Sequence, residues 1–375
     1  MALSMLACGA DGNTAQQMMR SLLIPDFSSH TLQEFKKGVA AFRNVENVTL
    51  AMANSIFVAA GWKYKMEFRR VTSDIFKNEV SPLNMNNPIE AAKSVNNWVK
   101  RNTNSKIKEI IQSSAIDSDT RMILVNAIYF KGNWAKQFDK EETRNMPFYI
   151  DENNKKQVPT MHMEDSFVYG YLKELRARYV VLPYKNSHLK MIIFVPQEIN
   201  GLHHIEANRK NLILDDLTGE NAAKQTINLF LPKFKLSSEI DLKKPLEQLG
   251  MTDIFGAANF SKISEEPLYV RKAIHKSYIE VNEHGSEAAA VTAIEIQPLI
   301  MNPQLIADRP FYFEIVYDTV PIFTGHVINP TVDDTTTQPQ KKTNADRKIQ
   351  KPSIVKTQRA RKYNSVTYEP ERIWN

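Results

Sequence analysis

Eight histidines and one cysteine are the side chains of this 375-residue chain best suited to bind a metal or attack a carbonyl, and their spacing argues against both. His203 and His204 are the only adjacent pair, and neighbouring residues on a helix or strand point apart, so a shared ion is not expected. Met161-His162-Met163 has the composition of a soft metal site, but it offers few ligands and reads better as ordinary strand. Cys8 sits in an apolar run with no histidine partner and reads as a small hydrophobe. With a single cysteine no intramolecular disulfide can form, and cysteine usage leaves the redox compartment open. There is no GxSxG elbow, no phosphate-binding GxxxxGK[ST] loop, no HExxH and no GxGxxG. Catalysis by this chain is not expected, and neither is a cofactor or a metal.

A peptide bond offered to another protein's active site is chemistry of a different kind, and Glu283 to Pro310 is composed for it. Every second residue from Ser286 gives Ser286, Ala288, Ala290, Thr292, Ile294 and Ile296, all uncharged and small at the start. The intervening set is Glu287, Ala289, Val291, Ala293, Glu295 and Gln297, and it carries both carboxylates and the amide. One dry face and one wet face at period two describe a strand. The alanines also favour a helix. The β-branched Val291, Thr292, Ile294 and Ile296 tilt the choice towards a latent strand. The following Pro298-Leu-Ile-Met-Asn-Pro303 is apolar and proline-bounded, a poor strand interior but a good exposed bait. Such a segment implies two states, a tethered loop before cleavage and an inserted strand after it. Main-chain hydrogen bonds at about 1 kcal/mol net over about ten residues would favour insertion by on the order of 10 kcal/mol.

The elements that must carry this segment alternate between helical and extended patterns. Ala2 to Arg43 is helical in pattern, broken at Gly9 to Gly12. Met1 to Cys8 reads as a piece of apolar helix left exposed at the chain start, rather than as a short signal segment. Asn47 to Ala60 reads as a strand, and Ile89 to Gln112 as an amphipathic helix with Val95, Trp98 and Val99 on one face. Thr120 to Trp134 is a long apolar strand, buried on both faces. Strands follow within 177–197 and 223–241, then a short helix from Lys243 ended by Gly250. Arg309 to Pro330 reads as a hairpin turning near Asp318-Thr319. The class is α+β.

"VNEHGSEAAAVTA" resembles the hinge of inhibitory serpins, usually Glu-Gly-Thr-Glu followed by alanines. "NVTLAMANSIFV", "ILVNAIYFKGNW", "VPTMHMEDSF", "LPKFKL", "LGMTDIF", "ANFSKIS", "AIHKSYIEVNE", "DRPFYFEI" and "FTGHVINPT" match the same family in its order, from the first residue to Pro330. The resemblance implies three β-sheets with surrounding helices and a mobile reactive loop. It implies a hinge of Glu283, Gly285, Ser286, Glu287, Ala288, Ala289 and Ala290. It makes Asn126 and His275 the polar cluster under the opening of the main sheet, and Trp134 the tryptophan where the loop first inserts. The family's reactive bond lies fourteen residues after the hinge glycine and eleven before the proline of the returning strand, and both counts give Leu299. The implied reactive bond is Leu299-Ile300, with Met301 the alternative if the register slips. Leucine suits a serine protease with an apolar primary pocket, chymotrypsin-like or elastase-like. The implied protein is a monomeric, extracellular suicide-substrate inhibitor. The alternative is a non-inhibitory or inactive truncated member with a carrier, storage or chaperone role.

Departures from the family pattern carry expectations of their own. The family's first helix, its first strand and a Ser-Pro-x-Ser segment under the main sheet would precede Met1. Without them buried polar groups near Asn126 and His275 should lack partners, at roughly 1–3 kcal/mol each, and an apolar groove should open. His284 replaces a residue that is often acidic. Residues 331–375 fall outside the pattern. They hold ten Lys or Arg against five Asp or Glu, so most of the net charge of +6 is local and a nucleic-acid role for the body is weak. That tail has too few apolar residues to offset its ordering entropy, so a disordered, solvated tail is expected. Polyanion binding is the second reading of its charge. Asn47-Val-Thr and Asn259-Phe-Ser are glycosylation sequons. No apolar run reaches the eighteen residues of a membrane span.

Overall fold

The computed structural model describes residues 1–43, 48–78, 80–185, 188–219, 222–283 and 302–331. Three helices come first: α1 (Ala2–Ala7), α2 (Gly12–Leu22) and α3 (Ser29–Arg43). α1 is helical as its pattern predicts, but it is not exposed. Met5, Leu6 and Ala7 are fully buried, packed with Ile56, Leu124 and Ile263 in one cluster. Strand β1 (Val48–Ala59) follows, then α4 (Met66–Arg70), a π turn and the short β2 (Ser81–Leu83).

Helix α5 (Pro88–Asn102) starts where Asn87 accepts the Glu90 N–H, with Pro88 pre-set for the first turn. It buries Ala91, Ala92, Val95 and Val99, and Trp98 meets Phe57 edge-on at 5.5 Å. It ends ten residues before the periodicity does. Thr103 donates its hydroxyl to Val99 O at 2.8 Å, and Asn104 and Ser105 take left-handed φ of 49° and 60°. A competing side-chain hydrogen bond and two left-handed residues stop the helix. The connector then returns to α5, where Asn96 receives the N–H groups of Ile110 and Ile111.

Strand β3 (Met122–Gly132) is the long apolar strand of the sequence, buried along nearly its whole length. Beyond it come β4 (Arg144–Tyr149), β5 (Lys155–Leu172), β6 (Ala177–Pro183) and β7 (Leu189–Pro196). Helices α6 (Leu202–Asn208) and α7 (Asp215–Thr218) lead to β8 (Lys224–Pro232) and β9 (Phe234–Asp241). α8 (Lys243–Gln248) ends as predicted at Gly250, whose φ of +91° suits glycine. Strands β10 (Val270–Val281), β11 (Gln304–Ile306), β12 (Phe311–Tyr317) and β13 (Val320–Val327) complete the described chain. β12 and β13 form the predicted hairpin, with Asp318 left-handed at its turn.

The strands make a mixed sheet of five in the order β2-β1-β3-β10-β9, and a sheet of eight in the order β11-β8-β5-β6-β7-β12-β13 with β4 on β5. Two of the three expected sheets are therefore continuous, and β5 is the reason. Its eighteen residues pair with β4 at the start, β8 in the middle and β6 at the end. At its centre, along β3, the five-stranded sheet is apolar on both faces. Its odd-numbered β3 residues Val125, Ala127 and Tyr129 meet α5. Its even-numbered residues face the protein interior, where Leu124 meets α1 and Phe130 meets the eight-stranded sheet.

Candidate functional site

β3 and β10 are parallel and directly paired from Met122 with Val270 to Phe130 with Ile279. Over that length the sheet is closed. The described chain stops at Glu283, just past the upper end of this seam, and resumes at Asn302, whose side chain donates to Glu164 at 3.1 Å. Gly285, Ser286, Glu287, Ala288, Ala289, Ala290, Leu299 and Ile300 lie outside the described residues, as does Asn47.

The fold brings Asn126 and His275 together as the sequence predicts. They are register partners across the seam, and Asn126 is also the register partner of Asn54 on β1. The three side chains form one row on the interior face. The His275 Nδ1–H donates to Asn126 Oδ1, because an amide oxygen can only accept, and Asn126 Nδ2 donates to Asn54 Oδ1. Burial lowers the His275 pKa from its usual 6.5 and keeps the ring neutral. The row ends at Asn54 Nδ2, which is buried without a hydrogen-bond partner among the described residues. At the opposite end of the row, beside His275, the interior face opens into a cavity of about 670 Å³ between this sheet and the β12–β13 hairpin, lined among others by Ile128, Leu236, Ser277, Phe313 and Phe323.

Trp134 and Glu283 hold the upper end of the seam. Trp134 donates its Nε1–H to Asn282 O at 3.0 Å and stacks on Tyr184 with ring centroids 4.7 Å apart. The fit leaves no room at Gly132, where a Cβ would lie 2.3 Å from Tyr184 Cε1. Glu283 is only 3% exposed. Its carboxylate accepts from Thr143 Oγ1 at 2.8 Å and pairs with Lys233 Nζ at 2.8 Å. Burial would raise this carboxyl, but hydrogen bonds from Lys233, the backbone and Thr143 outweigh it and hold the pKa below the usual 4.5. Glu283, the first residue of the expected hinge, is thus tied to two other strands' ends, on the β3–β4 connection and after β8.

Sequence reasoning missed Asn54, Thr143 and Lys233. Asn54 was findable as the one amide inside the apolar run Ala51 to Ala60, since a polar group in a buried strand needs a partner. Nothing local marks Thr143 or Lys233. The other candidates fall where strand and helix geometry put them. Met161 and Met163 point into the core, while His162 lies half-exposed on the opposite face against Asn228 and Glu142. His203 and His204 bond separate carbonyls, Asn200 O and Glu174 O. Asn259 is exposed and accepts the Ser261 N–H at 3.2 Å. Cys8 is partly buried, and burial pushes its thiol up to about 12, away from the reactive thiolate.

The profile of one family, Serpin (serine protease inhibitor), matches residues 1–330. The chain is 36% identical over 336 residues to alaserpin of Manduca sexta, covering 88% of this chain and 85% of that protein. It is 35% identical to the leukocyte elastase inhibitor of Sus scrofa, covering 88% and 90% respectively. Among solved structures it is similar to Serpin48 of the insect Tenebrio molitor, at a TM-score of 0.79 and 31% identity over 88% of this chain and 89% of that one.

Proposed function

The chain belongs to the serpin family of serine protease inhibitors, and we propose that it acts as a suicide substrate cut at Leu299-Ile300 by a protease with an apolar primary pocket. The observation that carries this reading is the closed parallel seam between β3 and β10, beside the point where residues 284–301 begin. A strand folding back from the end of β10 would run antiparallel to both neighbours. Insertion would replace one parallel ladder with two antiparallel ones, which are slightly more stable per residue. The net gain is about one ladder, on the order of 10 kcal/mol at about 1 kcal/mol per hydrogen bond.

The chemistry then follows from the protease's own machinery. Its serine Oγ attacks the Leu299 carbonyl carbon, the bond to the Ile300 nitrogen breaks, and the proton lost by the serine goes to that departing amine through the protease's histidine. Leu299 is left as an ester on the enzyme. Insertion of the Ser286, Ala288 and Ala290 face between β3 and β10 drags the attached protease along. Distortion of its oxyanion hole stalls the water attack that would free it. The chain supplies no catalytic group to either step.

Incubation of the purified chain with chymotrypsin, followed by a denaturing gel, tests the proposal. A covalent complex at the summed mass is expected. Clean cleavage at Leu299 without complex would refute trapping and leave a substrate-like member. Cleavage elsewhere would refute the register. Extracellular action belongs to the same proposal, and appearance of the full-length gene product in culture medium tests it.

A further inference from the structure

The α5 face of the seam carries a feature that neither the fold nor the bait requires. Tyr129 on β3 and Tyr278 on β10 are register partners across the seam, with ring centroids 5.7 Å apart. Lys106, from the connector after α5, places its Nζ 6.0 Å from one ring centre and 5.7 Å from the other. The same ammonium pairs with Glu280 on β10 at 3.3 Å, where the carboxylate side chain is only 12% exposed. Glu280 also lies 4.0 Å from Lys131 on β3 and accepts from Asn282. Burial, aided by Glu280, raises the Tyr129 phenol to about 12, so the ring stays neutral under the cation. One cation therefore touches both strands at once.

We propose that Lys106 is a latch across the β3–β10 seam, and that its release sets how fast the seam opens for an incoming strand. This rests on the insertion reading above. Neighbouring strands lie about 4.8 Å apart, so one inserted strand would roughly double the separation of β3 and β10. Lys106 could then keep Tyr278 and Glu280, or Tyr129, but not both, and Lys131 would lose Glu280. The full set of contacts exists only in the closed state, and the part that must be given up opposes opening. A slower seam gives the acyl-enzyme longer to hydrolyse, so the latch trades inhibition against stability of the uncut form. A second tie, Lys276 Nζ to Glu109 O at 2.8 Å, holds the same connector to β10 and is unaffected by changes at Lys106.

The test is uptake of a synthetic peptide of the 286–297 sequence by the intact full-length protein, with unfolding midpoints before and after loop cleavage. Lys106→Met keeps the aliphatic stem and removes the charge. Opening costs Lys106 one cation–π contact while Tyr278 and Glu280 stay with it on β10, so removing the charge should speed uptake about threefold. It should lower the midpoint of the intact form by more than that of the cleaved form. Glu280→Gln should act in the same direction, and less than additively with Lys106→Met. Wild-type uptake rates in both variants, or an equal midpoint loss in intact and cleaved forms, would overturn the latch and leave Lys106 a merely structural residue. If wild-type protein takes up no peptide and cleavage does not raise its midpoint, insertion itself is wrong and the latch falls with it.

Discussion

Removing the Glu283 carboxylate should loosen the upper end of the seam by an amount that the geometry bounds. The group is 3% exposed and makes two 2.8 Å contacts, one to the Thr143 hydroxyl and one to the Lys233 ammonium. Breaking a fully buried ion pair by deleting one partner costs about 3–5 kcal/mol. Here the Lys233 side chain is 24% exposed, so water recovers part of its solvation. Hydrogen bonds to a charged group contribute about 1.5–3 kcal/mol, and that range is the expected loss for Glu283→Gln in urea unfolding of the intact protein. A double-mutant cycle with Lys233→Met should give a coupling of about 1 kcal/mol or more. The pH dependence supplies a second reading. The native carboxyl titrates below its usual 4.5, so its contribution is fully present above that value and is lost as pH falls through the native pKa. Glu283→Gln should remove that leg of the acid-stability profile. Additivity of the two substitutions within about 0.3–0.5 kcal/mol, together with an unchanged acid profile, would refute the claim that this pair anchors the hinge.

Two further outcomes are expected. His275 titrates below 6.5 in the native state, so the unfolded chain binds the extra proton first and the closed sheet loses stability as pH falls from about 6.5 towards the native pKa. His275→Gln should flatten that part of the profile, measured by thermal unfolding between pH 7 and pH 5, and an unchanged slope would exclude His275 as its source. Ser286→Arg should convert the inhibitor into a substrate, because a charged side chain on the dry face delays insertion past deacylation. A complex with chymotrypsin at wild-type yield would show that the hinge pattern does not set the insertion rate.

Local order was legible in the sequence wherever backbone periodicity or turn chemistry decides it. The unbroken apolar run of β3, the end of α8 at Gly250 and the β12–β13 turn at Asp318 follow from short-range rules. The period-two face from Ser286 and the proposed bait at Leu299 rest on the same short-range rules and on the resemblance, and both lie outside the described residues. The Asn126–His275 pair was named from motif resemblance, and the register of β3 against β10 then supplied its geometry. Other features needed the tertiary structure. α5 stops at Asn102 because one hydroxyl and two left-handed residues override a periodicity that runs on to Gln112. α1 is core rather than exposed because β1 and β3 lie over it, and no local pattern reports that cover. Glu283 finds Thr143 at a sequence separation of 140 and Lys233 at 50, and Lys106 meets Glu280 at 174. A chain sequence encodes alternation and capping within a few residues. Which strands become neighbours is decided only when the sheets close, and with it which charges share a seam. For this protein the sequence alone therefore marked the segment proposed as the bait, and the tertiary structure decided which contacts hold the β3–β10 seam closed.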